Sequence, residues 1–219
     1  SMLDATGAEV AITNGGGIRA SIEAGDITKN SVVTAFPFGN YLVTKEIKGK
    51  DIVAALEHGL SKFPEQNGGF PHVAGMTFTF NIANPVGSRV SDLMIGSKAV
   101  DMEKGYMLVT NDFMAAGGDD YTMFKPSPIV NEYAAFDEIL VNYIKEMGTV
   151  STTVMPRIKV NGEVPVMPVA PEAPEVKQTP VEETPKEEDE QEVKEAPVQP
   201  VREEVKVVEG VIINGHSIP

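Results

Sequence analysis

Ile12-Thr13-Asn14-Gly15-Gly16-Gly17-Ile18-Arg19 is the most informative segment of this 219-residue sequence, because three consecutive glycines are followed by one arginine. Three consecutive glycines are kept where side chains do not fit or where the backbone needs a positive φ. Val10 to Ile12 predicts a strand that enters this turn. Backbone N–H groups of such a turn suit an anion, and Arg19 adds donors for phosphate or carboxylate. A glycine-rich turn beside an ordinary surface arginine is an equally good interpretation.

Periodicity around this turn predicts a mixed α and β domain over residues 1–160. Asp51–Phe63 and Glu132–Met147 carry apolar residues at helical spacing and end at Pro64 and Gly148. Strand patterns occur at Tyr41–Ile47, Met76–Phe80, Val90–Ile95, Tyr106–Thr110 and Val154–Val160. The two kinds of segment do not alternate regularly enough for a doubly wound sheet. The sequence therefore predicts an α+β fold, a single domain with a mixed sheet and packed helices.

The composition changes after residue 160. Residues 161–219 contain 14 acidic and five basic side chains and nine of the 16 prolines, in a chain of net charge −14. Residues 161–204 have too little apolar surface to offset the entropy of folding, so they predict a disordered, acidic Pro/Glu-rich linker. Residues 205–219 regain apolar character and predict either the start of a further module or a plain end segment.

Composition also excludes several classes of function. The absence of cysteine excludes disulfides, thiol catalysis and thiolate metal sites. An acidic surface without a basic patch argues against nucleic-acid binding. No stretch reaches the roughly 18 apolar residues of a membrane span. An acidic, proline-rich tail is typical of a secreted bacterial protein with a wall-spanning stalk, so we expect an extracellular location at the cell surface or cell wall.

Three further loops share the glycine-rich character of the first. They are Phe36-Pro37-Phe38-Gly39-Asn40, Gln66-Asn67-Gly68-Gly69-Phe70-Pro71 and Asp112-Phe113-Met114-Ala115-Ala116-Gly117-Gly118-Asp119-Asp120-Tyr121. A phenylalanine in a loop either packs under the loop or stacks on a planar ligand. Taken singly, such a phenylalanine is more often part of the hydrophobic core. Taken together, two aromatic rings, an amide, a carboxylate and an arginine supply what a nucleotide needs.

The order and spacing of Asn14–Arg19, Pro37–Asn40 and Gly117–Tyr121 resemble the C-terminal, substrate-binding domain of the 5'-nucleotidase and UDP-sugar hydrolase family. The resemblance runs from about Ala8 to Val160. It implies an α+β domain that binds the nucleotide substrate and sets specificity in a secreted, metal-dependent 5'-nucleotidase of nucleotide catabolism. It also implies a partner outside this sequence, an N-terminal metallophosphatase domain that holds two divalent metal ions.

The resemblance places seven residues around the substrate: Asn14, Arg19, Phe38, Asn40, Gly69, Phe113 and Asp119. It implies that Phe38 and Phe113 sandwich the base. It implies that Asp119 accepts the ribose hydroxyls and that Arg19 reaches the phosphate side. Stacking on phenylalanine tolerates any base, so a broad nucleotide specificity is expected.

The remaining three positions match smaller roles. Asn40 matches a polar contact to the base, Gly69 a place where backbone meets ligand, and Asn14 the start of the glycine loop. The family's domain begins well upstream of that loop, with a helix and a further arginine. Residues 1–160 are therefore expected to be an N-terminally truncated form of the domain.

Catalysis by this chain alone is not expected, because the metallophosphatase domain lies outside the sequence. His58, His72 and His216 lack the paired spacing that a metal site usually shows, so the sequence predicts no metal site. Asp119 and Asp120 are adjacent carboxylates, but neighbouring side chains usually point in different directions. The sequence accordingly predicts no catalytic residue in this chain.

Three functions remain open at this point. The leading one is the substrate-recognition domain of a secreted 5'-nucleotidase. The second is a domain of a 2',3'-cyclic-nucleotide phosphodiesterase or UDP-sugar hydrolase, since the same base-binding loops serve several leaving groups. The third is a non-catalytic surface interaction module, which the long acidic stalk supports.

Overall fold

A computed structural model describes residues 1–150 and 156–164, together with the backbone of 205–206. The predicted linker at 161–204 lies outside the described residues from position 165 onward, and so does most of 205–219. The predicted domain boundaries and the disordered tail therefore stay predictions.

The described residues form helices, strands and short 3-10 turns. The helices are α1 (Met2–Thr6), α2 (Lys29–Ala35), α3 (Gly49–Gly59), α4 (Asp112–Ala115) and α5 (Phe136–Met147). The strands are β1 (Val10–Asn14), β2 (Asp26–Ile27), β3 (Tyr41–Lys48), β4 (Pro71–Ala74), β5 (Met76–Asn81), β6 (Val90–Ile95), β7 (Lys98–Ala99), β8 (Gly105–Asn111), β9 (Ile129–Ala135), β10 (Ile158–Asn161) and β11 (Val205–Lys206). The 3-10 turns are Gly15–Gly17, Gly118–Asp120 and Thr122–Phe124. None of the helices in the described part is long and apolar enough to cross a membrane.

Most strands divide between two mixed sheets. The larger has the order β4-β1-β8-β3-β9, in which β1 and β8 run parallel and the other neighbours antiparallel. The smaller has the order β10-β5-β6-β7, in which β10 and β5 run parallel. The short strands β2 and β11 pair antiparallel. The predicted α+β fold is confirmed, with two mixed sheets rather than one.

The larger sheet is buried on both faces. Successive residues of a strand point to opposite faces, and on β8 Leu108 and Val109 are both fully buried. Leu108 belongs to a core shared with Leu56 of α3 and Phe80 of the smaller sheet. Val109 belongs to a second core with Ile139 of α5. The sheet therefore lies between α3 with the smaller sheet on one side and α5 with α1 on the other.

Two predicted helix boundaries are wrong. Residues from Glu132 to Ala135 belong to β9, where Glu132 pairs with Val43 of β3, and the helix begins only at Phe136. The open edge of β3 offers these residues backbone hydrogen bonds that outweigh their helical pattern. The first predicted helix ends at Gly59 instead of Phe63.

The side chain of Arg89, the residue before β6, occupies the end of α3. The Nη1 atom of Arg89 donates hydrogen bonds to the carbonyl oxygens of Leu60 at 2.6 Å and Phe63 at 3.2 Å. These carbonyls are thereby satisfied without a continuing helix. The predicted strands are confirmed within one or two residues at β3, β5, β6 and β8. The last predicted strand begins at Ile158, with residues 151–155 outside the described part.

Candidate functional site

The topology brings the glycine-rich loops to one edge of the larger sheet. The parallel strands β1 and β8 end there at Asn14 and Asn111. Their antiparallel neighbours β3 and β4 begin there at Tyr41 and Pro71. Because ends of parallel strands and starts of antiparallel neighbours share an edge, all four loops converge. The segments quoted from the sequence thus form one surface.

The triple glycine packs closely against a second loop. The N–H groups of Gly15 and Gly16 donate to the carbonyl oxygens of Phe70 at 2.8 Å and Gly68 at 2.7 Å. A Cβ on Gly16 would lie 3.0 Å from the Cα of Gly68, and none of the three glycines has a positive φ. The glycines are therefore needed for close approach of two backbones. Two of the amides expected to face an anion are occupied by these carbonyls.

Asn14 holds the carboxylate of Asp119. Its Nδ2 donates to Oδ2 of Asp119 at 2.7 Å, while its Oδ1 accepts a hydrogen bond of 3.0 Å from Nδ2 of Asn111. Asn14 and Asn111 are both buried. Asn111 in turn caps α4 by accepting from the N–H of Met114 at 2.8 Å. The Asn14 amide has a fixed orientation, and one oxygen of Asp119 is fixed with it.

The backbone at Asp119 is left-handed. Asp119 has φ 50° and Asp120 has φ 62°, a conformation that side chains other than glycine, asparagine and aspartate rarely adopt. His58 of α3 lies 2.7 Å from the Asp119 carbonyl oxygen through Nε2, which must carry the hydrogen because a carbonyl only accepts. Strained backbone held by surrounding contacts is typical of functional sites.

The two loop phenylalanines are open to solvent. Phe38 is 60% exposed and Phe113 is 45% exposed. The guanidinium carbon of Arg19 lies 6.0 Å from the centre of the Phe38 ring. The Phe113 ring rests on Gly118, where an added Cβ would lie 2.5 Å from it. Neither ring is buried beneath its own loop, so both present apolar surface that a planar ligand can cover.

Asn40 and Gly69 connect these loops. Nδ2 of Asn40 donates to Oδ1 of Asp112 at 2.7 Å, and the same oxygen accepts from the N–H of Phe113 at 2.8 Å. The position of a Cβ on Gly69 is 3.5 Å from the Cβ of Asp119. The Gly69 N–H donates within its own loop and its carbonyl accepts from Tyr121 at 2.6 Å. Both backbone groups of Gly69 are therefore occupied by the protein.

All seven predicted site residues are thus brought together. Arg19 lies beside Phe38, Asn40 is tied to the Phe113 loop through Asp112, and Asp119 has Asn14 and Gly69 beside it. Their roles toward a ligand stay predictions.

Comparison with known proteins identifies the family. Residues 1–126 match the family model described as 5'-nucleotidase, C-terminal domain. The chain belongs to this family. Over 163 residues it is 42% identical to the trifunctional nucleotide phosphoesterase protein YfkN of Bacillus subtilis, covering 71% of this chain and 11% of that protein. Over 155 residues it is 34% identical to the protein UshA of Escherichia coli, covering 70% of this chain and 27% of that protein.

A solved structure supports the same assignment. The crystal structure of a 5'-nucleotidase precursor from Thermus thermophilus is similar with a TM-score of 0.70 and 38% identity. The similarity covers 74% of this chain and 34% of that chain. The 5'-nucleotidase C-terminal domain described here thus spans from about a tenth to a third of the length of these three relatives.

Burial shifts two titratable groups of this 5'-nucleotidase C-terminal domain near the loops. Burial lowers the pKa of the His72 imidazole, which lies behind Gly15. Burial, together with the charge of Asp119, raises the pKa of the Tyr121 hydroxyl, so Tyr121 is a permanent donor to Gly69. Within residues 1–150 and 156–164 no group of three or more His, Asp or Glu side chains is arranged to hold a metal ion.

Sequence reasoning missed the residues that support the site. His58, Asn67, Asn111 and Tyr121 hold the loops of Asp119 and Gly69 through hydrogen bonds. Asn111 before Asp112 is an N-cap signal that could have been found. His58 and Tyr121 act across more than 50 positions of sequence and leave no local pattern.

Proposed function

We propose that this chain is the nucleotide-binding, specificity-setting domain of a metal-dependent 5'-nucleotidase. The observation that carries the proposal is that two exposed phenylalanines, an oriented carboxylate and an arginine lie on loops that meet at one sheet edge. Membership in the 5'-nucleotidase family supports it. The substrate class is the nucleoside monophosphates.

Each group supplies one part of nucleotide recognition. The rings of Phe38 and Phe113 stack on the two faces of the base, which tolerates different bases. One oxygen of Asp119 is held by Asn14, and the other accepts hydrogen bonds from the ribose hydroxyls. Arg19 is exposed at the end of the glycine loop and contributes a charge-assisted hydrogen bond to the phosphate.

Hydrolysis is assigned to another part of the parent protein. An N-terminal metallophosphatase domain with two divalent metal ions would polarise the phosphate and activate water. The described residues of this chain would hold the nucleoside end of the substrate during that step. The fragment alone is expected to bind nucleotides without cleaving them.

The location of the protein is a further part of the proposal. The acidic, proline-rich composition of 161–204 suits an extended stalk. The absence of cysteine is compatible with a bacterial protein outside the cell. We therefore place the domain at the bacterial cell surface or cell wall.

The test compares adenosine with AMP. Titration of both ligands into the 219-residue chain, followed by NMR, is expected to shift amides around Arg19, Phe38, Gly69, Phe113 and Asp119. R19Q is expected to weaken AMP binding by about tenfold or more and to leave adenosine binding within about twofold, because only AMP carries the phosphate.

K29Q is the matched control, since Lys29 is an exposed basic residue at the start of α2, at the opposite end of that helix from the Phe36–Asn40 loop. It removes the same charge and is expected to leave AMP binding nearly unchanged at physiological salt. Absence of binding in a well-dispersed spectrum contradicts the proposal. Shifts confined to other surfaces contradict it equally.

A second candidate follows from the name of the Bacillus relative. That protein is described as a trifunctional nucleotide phosphoesterase. A domain of a 2',3'-cyclic-nucleotide phosphodiesterase or a UDP-sugar hydrolase would use the same aromatic pair with a different phosphate ester. Tighter binding of 2',3'-cyclic AMP or a UDP-sugar than of AMP would favour it. Retained folding with no nucleotide binding would favour a non-catalytic surface interaction module.

A further inference from the structure

Lys45 is a buried cation in the middle of β3. Its residue is 4% exposed, and Nζ donates hydrogen bonds to the carbonyl oxygens of Phe124 at 2.7 Å and Ala115 at 2.9 Å. Among the described residues no carboxylate lies within ion-pair distance of Nζ. An ammonium group without a counter-ion is rarely buried, because desolvation opposes it. The two carbonyl contacts are what makes this position tolerable.

The two carbonyls belong to the two ends of one loop. Ala115 is the last residue of α4, and Phe124 is the last residue of the 3-10 turn Thr122–Phe124. Carbonyl groups at helix ends lack partners within the helix. A single ammonium group therefore satisfies both and closes residues 116–123 into a loop tied to β3.

This loop and the helix before it carry two of the seven proposed site residues, Phe113 and Asp119. Phe113 lies in α4, immediately before the loop, and its ring rests on Gly118. Asp119 lies within the loop in its left-handed conformation. Any displacement of the loop would move an aromatic face and the ribose-binding carboxylate together.

The other aromatic face is connected to the same strand. Phe38 and Asn40 directly precede β3, which begins at Tyr41. Lys45 follows Tyr41 by four residues, about 13 Å along an extended strand. Strand β3 is hydrogen-bonded on both sides, to β8 and to β9. It therefore connects the Phe38 loop rigidly to Lys45.

We propose that Lys45 is a positioning residue of the nucleotide site. By holding both ends of the 116–123 loop to β3, it sets the separation between the ring of Phe113 and the ring of Phe38, and it places Asp119 for the ribose. This inference rests on the proposed function. Lys45 itself touches no substrate.

The test uses two substitutions of Lys45 in the 219-residue chain. K45M keeps a long apolar stem and removes every donor, whereas K45Q keeps an NH₂ group with two donors on a shorter stem. Adenosine affinity is measured by calorimetry at a temperature where each variant is fully folded. Hydrogen exchange is measured without ligand at the amides of Gly117 and Tyr121, which donate to Met114 and Gly118 within this region.

K45M is expected to weaken adenosine binding about tenfold or more and to speed exchange at Gly117 and Tyr121, because two buried carbonyls lose their donor. K45Q is expected to bind adenosine more tightly than K45M does and to exchange more slowly at Gly117 and Tyr121. L93A is the control, since Leu93 is a buried residue of β6 in the smaller sheet. It is expected to lower stability through a cavity and to leave affinity within about twofold.

Unchanged affinity and unchanged exchange in folded K45M overturn the proposal. An equal loss of affinity in K45M and L93A also overturns it, because the effect would then follow stability alone. If K45M does not fold, K45Q takes its place, and its adenosine affinity and exchange are compared with those of L93A by the same criteria. If the wild-type chain binds no adenosine, the proposed function fails. Exchange at Gly117 and Tyr121 then decides the role of Lys45 as a loop support.

Discussion

The side-chain amide of Asn14 donates a 2.7 Å hydrogen bond to the carboxylate of Asp119, although 105 positions separate the two residues in the sequence. Asn14 ends strand β1, and Asp119 lies in a left-handed turn within the loop that follows α4. Hydrogen bonds to a charged acceptor are shorter and stronger than those between neutral groups. This bond therefore fixes the direction in which the second carboxylate oxygen faces the site.

Removal of the Asn14 amide should disorient Asp119. N14A is expected to weaken adenosine binding by about 1–3 kcal/mol, because the carboxylate loses its donor and can rotate. Calorimetric titration of adenosine measures the effect. N30A, at an exposed position of α2, is the control and should bind as the wild-type chain does. Equal affinities for N14A and N30A would show that Asp119 needs no such support.

Truncation of the aromatic side chains tests the stacking prediction. F38A and F113A should each weaken adenosine binding by about 1–3 kcal/mol, the usual contribution of one aromatic platform to one base. V86A is a matched control, because Val86 is 58% exposed, close to the 60% of Phe38, but lies in the turn between β5 and β6. Stacking is refuted if neither phenylalanine variant differs from V86A in a calorimetric titration.

Gly118 is expected to matter for binding more than for stability. In G118A the new methyl group would meet the Phe113 ring, and the exposed ring can move aside into solvent. Adenosine affinity should fall while the urea midpoint changes little. In G49A the methyl group would meet the backbone carbonyl of Asp101, which cannot move as easily.

The G49A variant gives the opposite pattern. Its urea midpoint should fall clearly, while adenosine affinity in the folded chain stays close to wild type, because Gly49 begins α3 at the far end of β3 from the loops. The pair thus separates a local change in the site from a general loss of stability. A G118A variant with normal affinity would mean that the Phe113 ring position does not affect the ligand.

His72 should make stability depend on pH. Burial lowers its pKa, so below the unfolded value of about 6.5 the unfolded chain binds a proton that the folded chain excludes. Unfolding then takes up a proton, and stability falls as the pH drops below about 6.5, with no contribution where both states are neutral. Urea unfolding of wild type and H72Q at pH 7.5 and 5.0 measures this. The wild type should lose more stability than H72Q, and parallel losses would contradict the assignment.

Elements with a strong local pattern were predicted closely from the sequence. The predicted strand Val90–Ile95 has the observed bounds of β6, and Met76–Phe80 is one residue shorter than β5. Alternation of apolar and polar residues depends on which face of a strand is buried, and that information is local. The glycine-rich loops were also visible, because their composition alone marks them as turns.

The wrong boundary at Glu132 has a different cause. Residues from Glu132 to Ala135 carry a helical pattern, and only the edge of β3 makes them a strand. Strand β4 gives no signal of its own, yet Pro71–Ala74 pairs with β1 along four residues. A partner strand that is distant in sequence decides both outcomes, and no window of neighbouring residues contains it.

The α+β class, the glycine-rich loops and the residue types that suit a nucleotide follow from the amino-acid order alone, because propensity, periodicity and motif order are local properties of the chain. The three-dimensional fold was needed to see that β1, β8, β3 and β4 bring all four loops to one sheet edge. It also decided that Asn14 holds Asp119 and that Lys45 is buried beneath the Phe113 loop. Such contacts arise from packing and from the need to satisfy buried polar groups across the fold, which depend on where distant segments meet.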